Sequence, residues 1–487
     1  MKAVSIIAAT ALLLCVFAVR AQATGSRDLS RRLLQQQTVN DFNSLKGALQ
    51  SGASSIRLGA SFTVEDTLFV DKPVTISSDG NAVLGCPSAL TTAFVISGAA
   101  VTFERVKFNG CLLNTVFGVL HVKDGASLTI RGADVQNVSN VAAPGFIYAT
   151  DSTVTITDST FGNNRGYDGS ILFAQKCTVT VRDSDFVNNL AYDDGVALWG
   201  EDSTVEVTGC KFRDSVADFS GGSVFSKGGS LIVRNTAFTN NKASYGGGIR
   251  GENADIQVFD SNFANNKASY YAAGIYALNG RLAISGSNFQ NNEVFNFAGA
   301  IYTEGTDVTI TRSNFDTNVA EEYAGALYTL RGRLNLSEST FANNKANYFT
   351  GAVYALDTQG VDVTSCTFKN NVGTYFTGAV YVQFGTINIK NSAFNDNSAK
   401  EFAGAIFVQD ATLNLEGTVL QGNKANNYAG AVYVQNGNVN AKDTKFLYNQ
   451  AYDFFDGAIV VEKSQARYDN CEFTGNTPDD PSQRGGQ

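Results

Sequence analysis

Along residues 100 to 476 apolar and polar positions alternate in short runs, and the runs return with a nearly fixed period. One large apolar residue marks each return: Phe108, Val135, Phe161, Phe186, Phe212, Phe238, Phe263, Phe289, Phe315, Phe341, Phe368, Phe394, Leu420, Phe446 and Phe473, at intervals of 25 to 27 residues. A period held this long signals a solenoid in which each repeat is one coil stacked on the last. Seven and five residues before the mark stand two further apolar residues with one between them, as in Val154 and Ile156, Leu282 and Ile284, or Val308 and Ile310. Period two over so short a run predicts a half-buried strand in every coil.

Two residues before the mark a small residue recurs from Ser159 to Cys471, on the same inward face of the strand. Three residues after the mark comes Asn, from Asn164 to Asn476, with Ser215 as the exception. Asn tolerates the left-handed backbone of a corner, and its amide can donate to and accept from the same side chain one coil away. The spacing therefore predicts a stacked Asn ladder. Gly-Ala-(Ile/Val/Leu)-(Tyr/Phe) follows ten to thirteen residues after the mark, as in Gly299 to Tyr302, Gly351 to Tyr354 and Gly430 to Tyr433. Here glycine is expected to turn the chain and the branched residue to return inward.

The ends need covers, because a terminal coil exposes sheet edge and core. Thr38 followed by Asp41, with Val39, Phe42, Leu45 and Leu49 at helical spacing, predicts an amphipathic helix over 38–50 at the N-terminal end. Irregular strands are expected at Ile56 to Leu58, Thr67 to Val70 and Val74 to Ile76, and Pro478 and Pro481 stop the stack. Residues 3 to 19 form an apolar core behind Lys2, and Ala21-Gln22-Ala23 supplies the cleavage pattern of a secretory signal peptide. The expected organisation is a signal peptide over 1–23, a polar leader over 24–37, one β-helical domain over 38–476 and a disordered tail over 477–487. Within the domain, 38–100 form the cap and irregular coils and 101–476 the regular repeats. No later segment has the length and apolarity of a transmembrane span.

Composition sharpens this picture. All five prolines lie outside 145 to 477, as expected where nearly every backbone N–H donates to a ladder. Removal of residues 1–23 leaves 34 basic against 45 acidic side chains, and an acidic surface disfavours nucleic acid as a partner. The single histidine, His121, stands where other coils carry Tyr or Phe and reads as an aromatic substitute. Cys and His clusters of metal-ligand spacing are missing, so no metal and no cofactor is expected. The acid pairs Asp193-Asp194 and Glu321-Glu322 fall in the polar stretch after the Asn and read as solvated charges, with no catalytic constellation.

The recurrence of Phe-x-x-Asn in register with Gly-Ala-Ile, Gly-Ala-Val or Gly-Ala-Leu over residues 100 to 476 resembles the repeat of the polymorphic outer-membrane proteins. The arrangement is also similar to the pectate-lyase-like superfamily. Both resemblances imply an all-β fold, a single-stranded right-handed parallel β-helix of about 26 residues per coil, and adhesive or polysaccharide-directed roles.

Alternation places Tyr276, Tyr302, Tyr328, Tyr354, Tyr381, Phe407 and Tyr433 on the outside, once per coil. A second row, Tyr271, Phe297, Tyr323, Phe349, Phe376, Phe402, Tyr428 and Phe454, precedes the glycine. Either the rows pack on each other around a corner, or they form an exposed platform for sugar rings or a protein partner. The functional expectation is a secreted, noncatalytic binding or structural protein. It would act at a cell surface or matrix with a polysaccharide or a surface protein as partner, and the alternative is a polysaccharide lyase or glycoside hydrolase. Cys86 and Cys111 occupy one corner of adjacent coils, about 4.8 Å apart, and are expected to form a disulfide. Cys177, Cys210, Cys366 and Cys471 are expected as buried thiols, and Asn137 and Asn335 as N-glycosylation acceptors.

Overall fold

The computed structural model describes residues 36–88, 90–452 and 455–484. The expected signal peptide, nearly all of the leader and Phe454 lie outside the described residues. The chain winds as a parallel β-solenoid of about 16 turns. The coil carrying Phe289 shows the plan, with strands Ile275–Leu278, Arg281–Ser285, Asn288–Gln290 and Glu293–Val294. Each pairs in parallel with its counterpart one coil later: Ile275 with Ile301, Leu282 with Val308, Phe289 with Phe315, Glu293 with Val319. Three left-handed residues, Asn279, Gly286 and Asn291, sit between these strands and bend the ribbon into a closed outline. Alternation then decides what lies inside: Leu282, Ile284 and Phe289 are buried, while Arg281 faces solvent.

The mark residues stack ring on ring. From Phe263 through Phe394 successive centroids are 4.6 to 4.9 Å apart, with the planes within 7° of parallel. That separation matches the spacing of hydrogen-bonded strands, so ring packing and backbone pairing favour the same coil rise. Burying each ring contributes roughly 1.5–3 kcal/mol relative to exposure.

The Asn ladder is fully satisfied. Asn344 Oδ1 accepts from Asn318 Nδ2 and from the Asn318 N–H, both at 3.0 Å. Its own Nδ2 donates to Asn371 Oδ1 at 3.0 Å and to the Phe315 carbonyl at 2.9 Å. The run is unbroken from Asn241 to Asn476, and Ser215 divides it from Asn189. The left-handed corner is not made by these residues. It falls one position earlier, at Asn163, Asn265, Asn343 and Asn370 among others. A residue whose side chain points to solvent makes the turn, which leaves its neighbour free to aim an amide inward.

Glycine of the Gly-Ala motif also has a different reason from the one expected. Gly299, Gly325, Gly351, Gly378, Gly404 and Gly430 do not take positive φ. Instead they form a column in which a Cβ at Gly351 would collide with the Gly378 carbonyl and one at Gly378 with the Gly404 carbonyl. Close approach of successive backbones excludes any side chain there.

At the N-terminal end the helix is Phe42–Gln50, and Phe42, Leu45 and Ala48 are buried beneath it. Asp41, not Thr38, caps it, in a reciprocal pairing with Ser44, because Thr38 and Val39 are drawn into the strand Gln37–Val39 beside Ser55–Leu58. The next strands are Leu68–Val70 and Val74–Ser78. Cys86 and Cys111 are joined by a disulfide with their Cα atoms 4.5 Å apart. Cys177, Cys210 and Cys366 are buried thiols, whereas Cys471 is partly exposed, lying in the last coil among the described residues. The tail also departs from expectation, since Pro481–Arg484 forms a short 3-10 turn docked on the last coil.

Candidate functional site

The two aromatic rows build a second apolar column outside the main core. Tyr276, Tyr302, Tyr328, Tyr354, Tyr381, Phe407 and Tyr433 point outward from their strands, yet only 0–6% of each is exposed. The exposed-stripe expectation is therefore corrected. The stretch between the Asn corner and the glycine folds back over these residues, bringing Ala272, Ala298, Ala324, Ala403 and Ala429 and the second row against them. That second row stacks continuously from Tyr271 through Phe297, Tyr323, Phe349, Phe376, Phe402 and Tyr428 to Phe455, at 4.5 to 5.1 Å. Most ring faces are occupied by neighbouring rings, leaving edges toward solvent. Burial pushes the Tyr354 hydroxyl up to about 12 and that of Tyr328 higher still.

Beside this column runs a ridge that is open to solvent: Tyr270 is 53% exposed and Phe295 66%. These two rings wall a groove of about 620 Å³ whose floor and rim include Ala268, Val294, Lys242, Lys267 and Glu293. Lys267 and Glu293 are paired across adjacent coils at 2.7 Å. A second groove, of about 550 Å³, follows the outer face of later coils and is lined by Asn388, Asn414 and Asn440 between Lys390, Glu416 and Lys442. Its amides are themselves laddered, Asn414 donating to Asn388 at 2.8 Å and Asn440 to Asn414 at 2.9 Å.

One cluster escaped the sequence pattern. Arg250 occupies the aromatic slot between Phe225 and Tyr276, with its guanidinium 4.7 Å from the Phe225 ring centroid. It pairs with Asp194 and Glu252. Asp194 also accepts the Gly221 N–H at 3.2 Å, and Asp168 accepts the Asp194 N–H at 3.4 Å. Burial, reinforced by the Asp193 and Asp194 charges, raises the Asp168 carboxyl to about 7. Asp194 thus belongs to a largely buried charged cluster, contrary to its expected solvated role. The break in the aromatic periodicity at Arg250 was the available signal.

His121 stacks on Phe117 at 4.1 Å and edge-on to Tyr148, and desolvation lowers its pKa. Asn137 is exposed at a left-handed corner and donates to Asn109 at 2.9 Å, and Asn335 lies half-buried on the outer side of Arg333–Ser337. Among the described residues no helix is long and apolar enough to cross a membrane, and no group of three or more His, Cys, Asp or Glu is placed to hold a metal ion.

No curated protein matches the chain. Among solved structures it is similar to the A-module of mannuronan C-5 epimerase AlgE4 from Azotobacter vinelandii, at 10% identity over 91% of this chain and 96% of that one, with a TM-score of 0.27. PfbA, a surface adhesin of Streptococcus pneumoniae, gives 12% over 90% of each chain and a TM-score of 0.24. Tailspike protein 3 of bacteriophage CBA120 gives 12% over 91% of this chain and 60% of that one, at 0.25. The family model described as the right-handed beta helix region matches residues 54–212, 92–255 and 194–354. These matches span more than half of a chain whose coils, ladders and parallel register are those of such a helix, and the chain belongs to the right-handed β-helix family.

Proposed function

We propose that this protein is a secreted, noncatalytic binding rod that engages an extended polysaccharide on its outer surface. The observation that carries the reading is the groove between Tyr270 and Phe295. Two exposed rings stand over an apolar floor, with Lys267 and Glu293 at hand for hydroxyl or carboxylate groups. Exposed apolar surface rimmed by charge usually marks binding, and repeated subsites along a rod hold successive units of a chain at high effective concentration. The buried rows from Tyr276 to Tyr433 support this surface and do not touch the ligand.

The test is a polysaccharide array scored for both binding and release of reducing ends. The wild-type chain should bind without release. Tyr270→Ser with Phe295→Ser should weaken binding at least tenfold with an unchanged β-sheet spectrum, because both side chains are exposed. The triple replacement of Tyr328, Tyr354 and Tyr381 by Ser should instead unfold the central coils, each truncation costing about 3 kcal/mol or more. Unchanged binding by the Tyr270/Phe295 variant would place the ligand elsewhere.

One observation favours the enzymatic alternative, a lyase or hydrolase. Asp168, which accepts the Asp194 N–H and whose carboxyl burial raises to about 7, has the character of a general acid. Release of reducing ends that disappears in Asp168→Asn would select it.

A further inference from the structure

The two ends of the rod are finished differently. Helix Phe42–Gln50 closes the first, but at the other the strands Gln465–Asp469 and Glu472–Thr474 pair, among the described residues, only with the preceding coil. Ala466, Tyr468, Cys471 and Phe473 remain partly exposed over the open core. In a parallel ladder alternate residues direct both backbone groups to the same neighbour. Gln465 donates to the preceding coil and the Asp469 carbonyl accepts from it, so the N–H and C=O of Ala466 and Tyr468 face outward along the rod axis.

The docked tail packs on Ile459–Glu462 and lies over the open core beside this edge. The Arg484 guanidinium stands 4.3 Å from the Phe473 ring centroid and pairs with the fully buried Asp456 at 3.1 Å, and the Tyr468 hydroxyl donates to the Arg484 carbonyl at 2.7 Å. Asp456 also accepts the Asp480 N–H at 3.0 Å, which holds the turn from its other side.

We propose that the C-terminal end is a docking surface for a second copy of this chain, joined tail to tail about a two-fold axis through Tyr468, and that the Arg484 turn is the latch that covers it. A second copy fits because the strand is self-complementary in one register. An antiparallel pair centred on Tyr468 sets its outward N–H and C=O against the same groups of the partner and places Arg467 opposite Asp469 twice. Centring on Arg467 would set two like charges face to face. Neither Arg467 nor Asp469 has an ion pair among the described residues, and both are exposed. A tail-to-tail contact about a two-fold axis uses the same patch on both copies, so association closes at two and does not run on into a fibre.

Light scattering on the size-exclusion eluate of the full chain reads the outcome. The wild type should run at the mass of one chain. Arg484→Glu, which repels the tail from Asp456 and Asp479, should run at twice that mass, with the maximum dimension in X-ray scattering nearly doubled. Adding Asp469→Lys should restore the single-chain mass, and adding Arg467→Asp to that variant should bring the doubled mass back. Arg484→Ala, which loosens the turn without repulsion, guards against unfolding by the charge reversal and should shift the same way at higher concentration. A wild type already doubled in mass, latch variants that both stay single, doubling insensitive to Asp469→Lys, or growth beyond two copies would each overturn the proposal.

Discussion

At the scale of single residues the interior is decided by whether buried polar atoms find partners. Asn344 is fully buried and its side chain makes four hydrogen bonds, so Asn344→Ala leaves two donors of Asn318 without an acceptor. At about 1–3 kcal/mol for each unsatisfied group, the expected loss is about 3 kcal/mol or more, read as a lower denaturant midpoint. Asp168 gives a pH test. Its carboxyl is raised to about 7 in the fold, against about 3.9 for an unperturbed Asp. The native state therefore holds this proton more tightly than the unfolded chain. The stability it contributes is complete below about pH 4 and is lost as pH rises through 7. Asp168→Asn stays neutral throughout, so its melting temperature should fall less between pH 4 and 7 than that of the wild type. Equal falls would show the carboxyl to be solvated.

At the scale of elements, the period of the marks was enough to find the coil, the inward Phe and the Asn ladder, because each repeats the same chemistry at the same place. Depth was not legible for Tyr328. Alternation says that its ring points away from the core, but not that Tyr323 and Ala324 fold back over it. Arg250 was hidden for the opposite reason, since recurrence says nothing of a coil that departs from it. The glycine column shows the same limit, as a turn and a close approach leave the same letter in the sequence. Gly378→Ala should cost about 3 kcal/mol or open the stack locally, its Cβ meeting the backbone of the next coil. Gly47→Ala, in a helix with nothing within 4 Å, should be neutral or stabilising by up to about 1 kcal/mol. Thermal unfolding of the pair separates the two roles.

At the scale of the whole molecule, each coil touches mainly its neighbours, so stability is a sum along the rod and not a property of one core. The Cys86–Cys111 bond then acts locally, tying the irregular coils to the first regular ones. Replacing both cysteines by Ser should remove about 2–4 kcal/mol from that end. Hydrogen exchange should quicken over residues 56–113 while the coils from Phe289 to Phe394 keep their protection. Uniform loss of protection would show instead that the rod unfolds as one unit.

The coils are not all the same length, yet the register never slips. In the 27-residue interval from Phe341 to Phe368 the additional residue is taken up near Asp357 to Gly360, between two strands, and Phe341 still lies on Phe368. The number of residues in a coil is thus uncoupled from its height. A rod of this kind is a ruler graduated in units of about 4.8 Å. Small insertions and deletions thicken its outline without changing its reach, and only duplication or loss of an entire turn moves it to the next graduation.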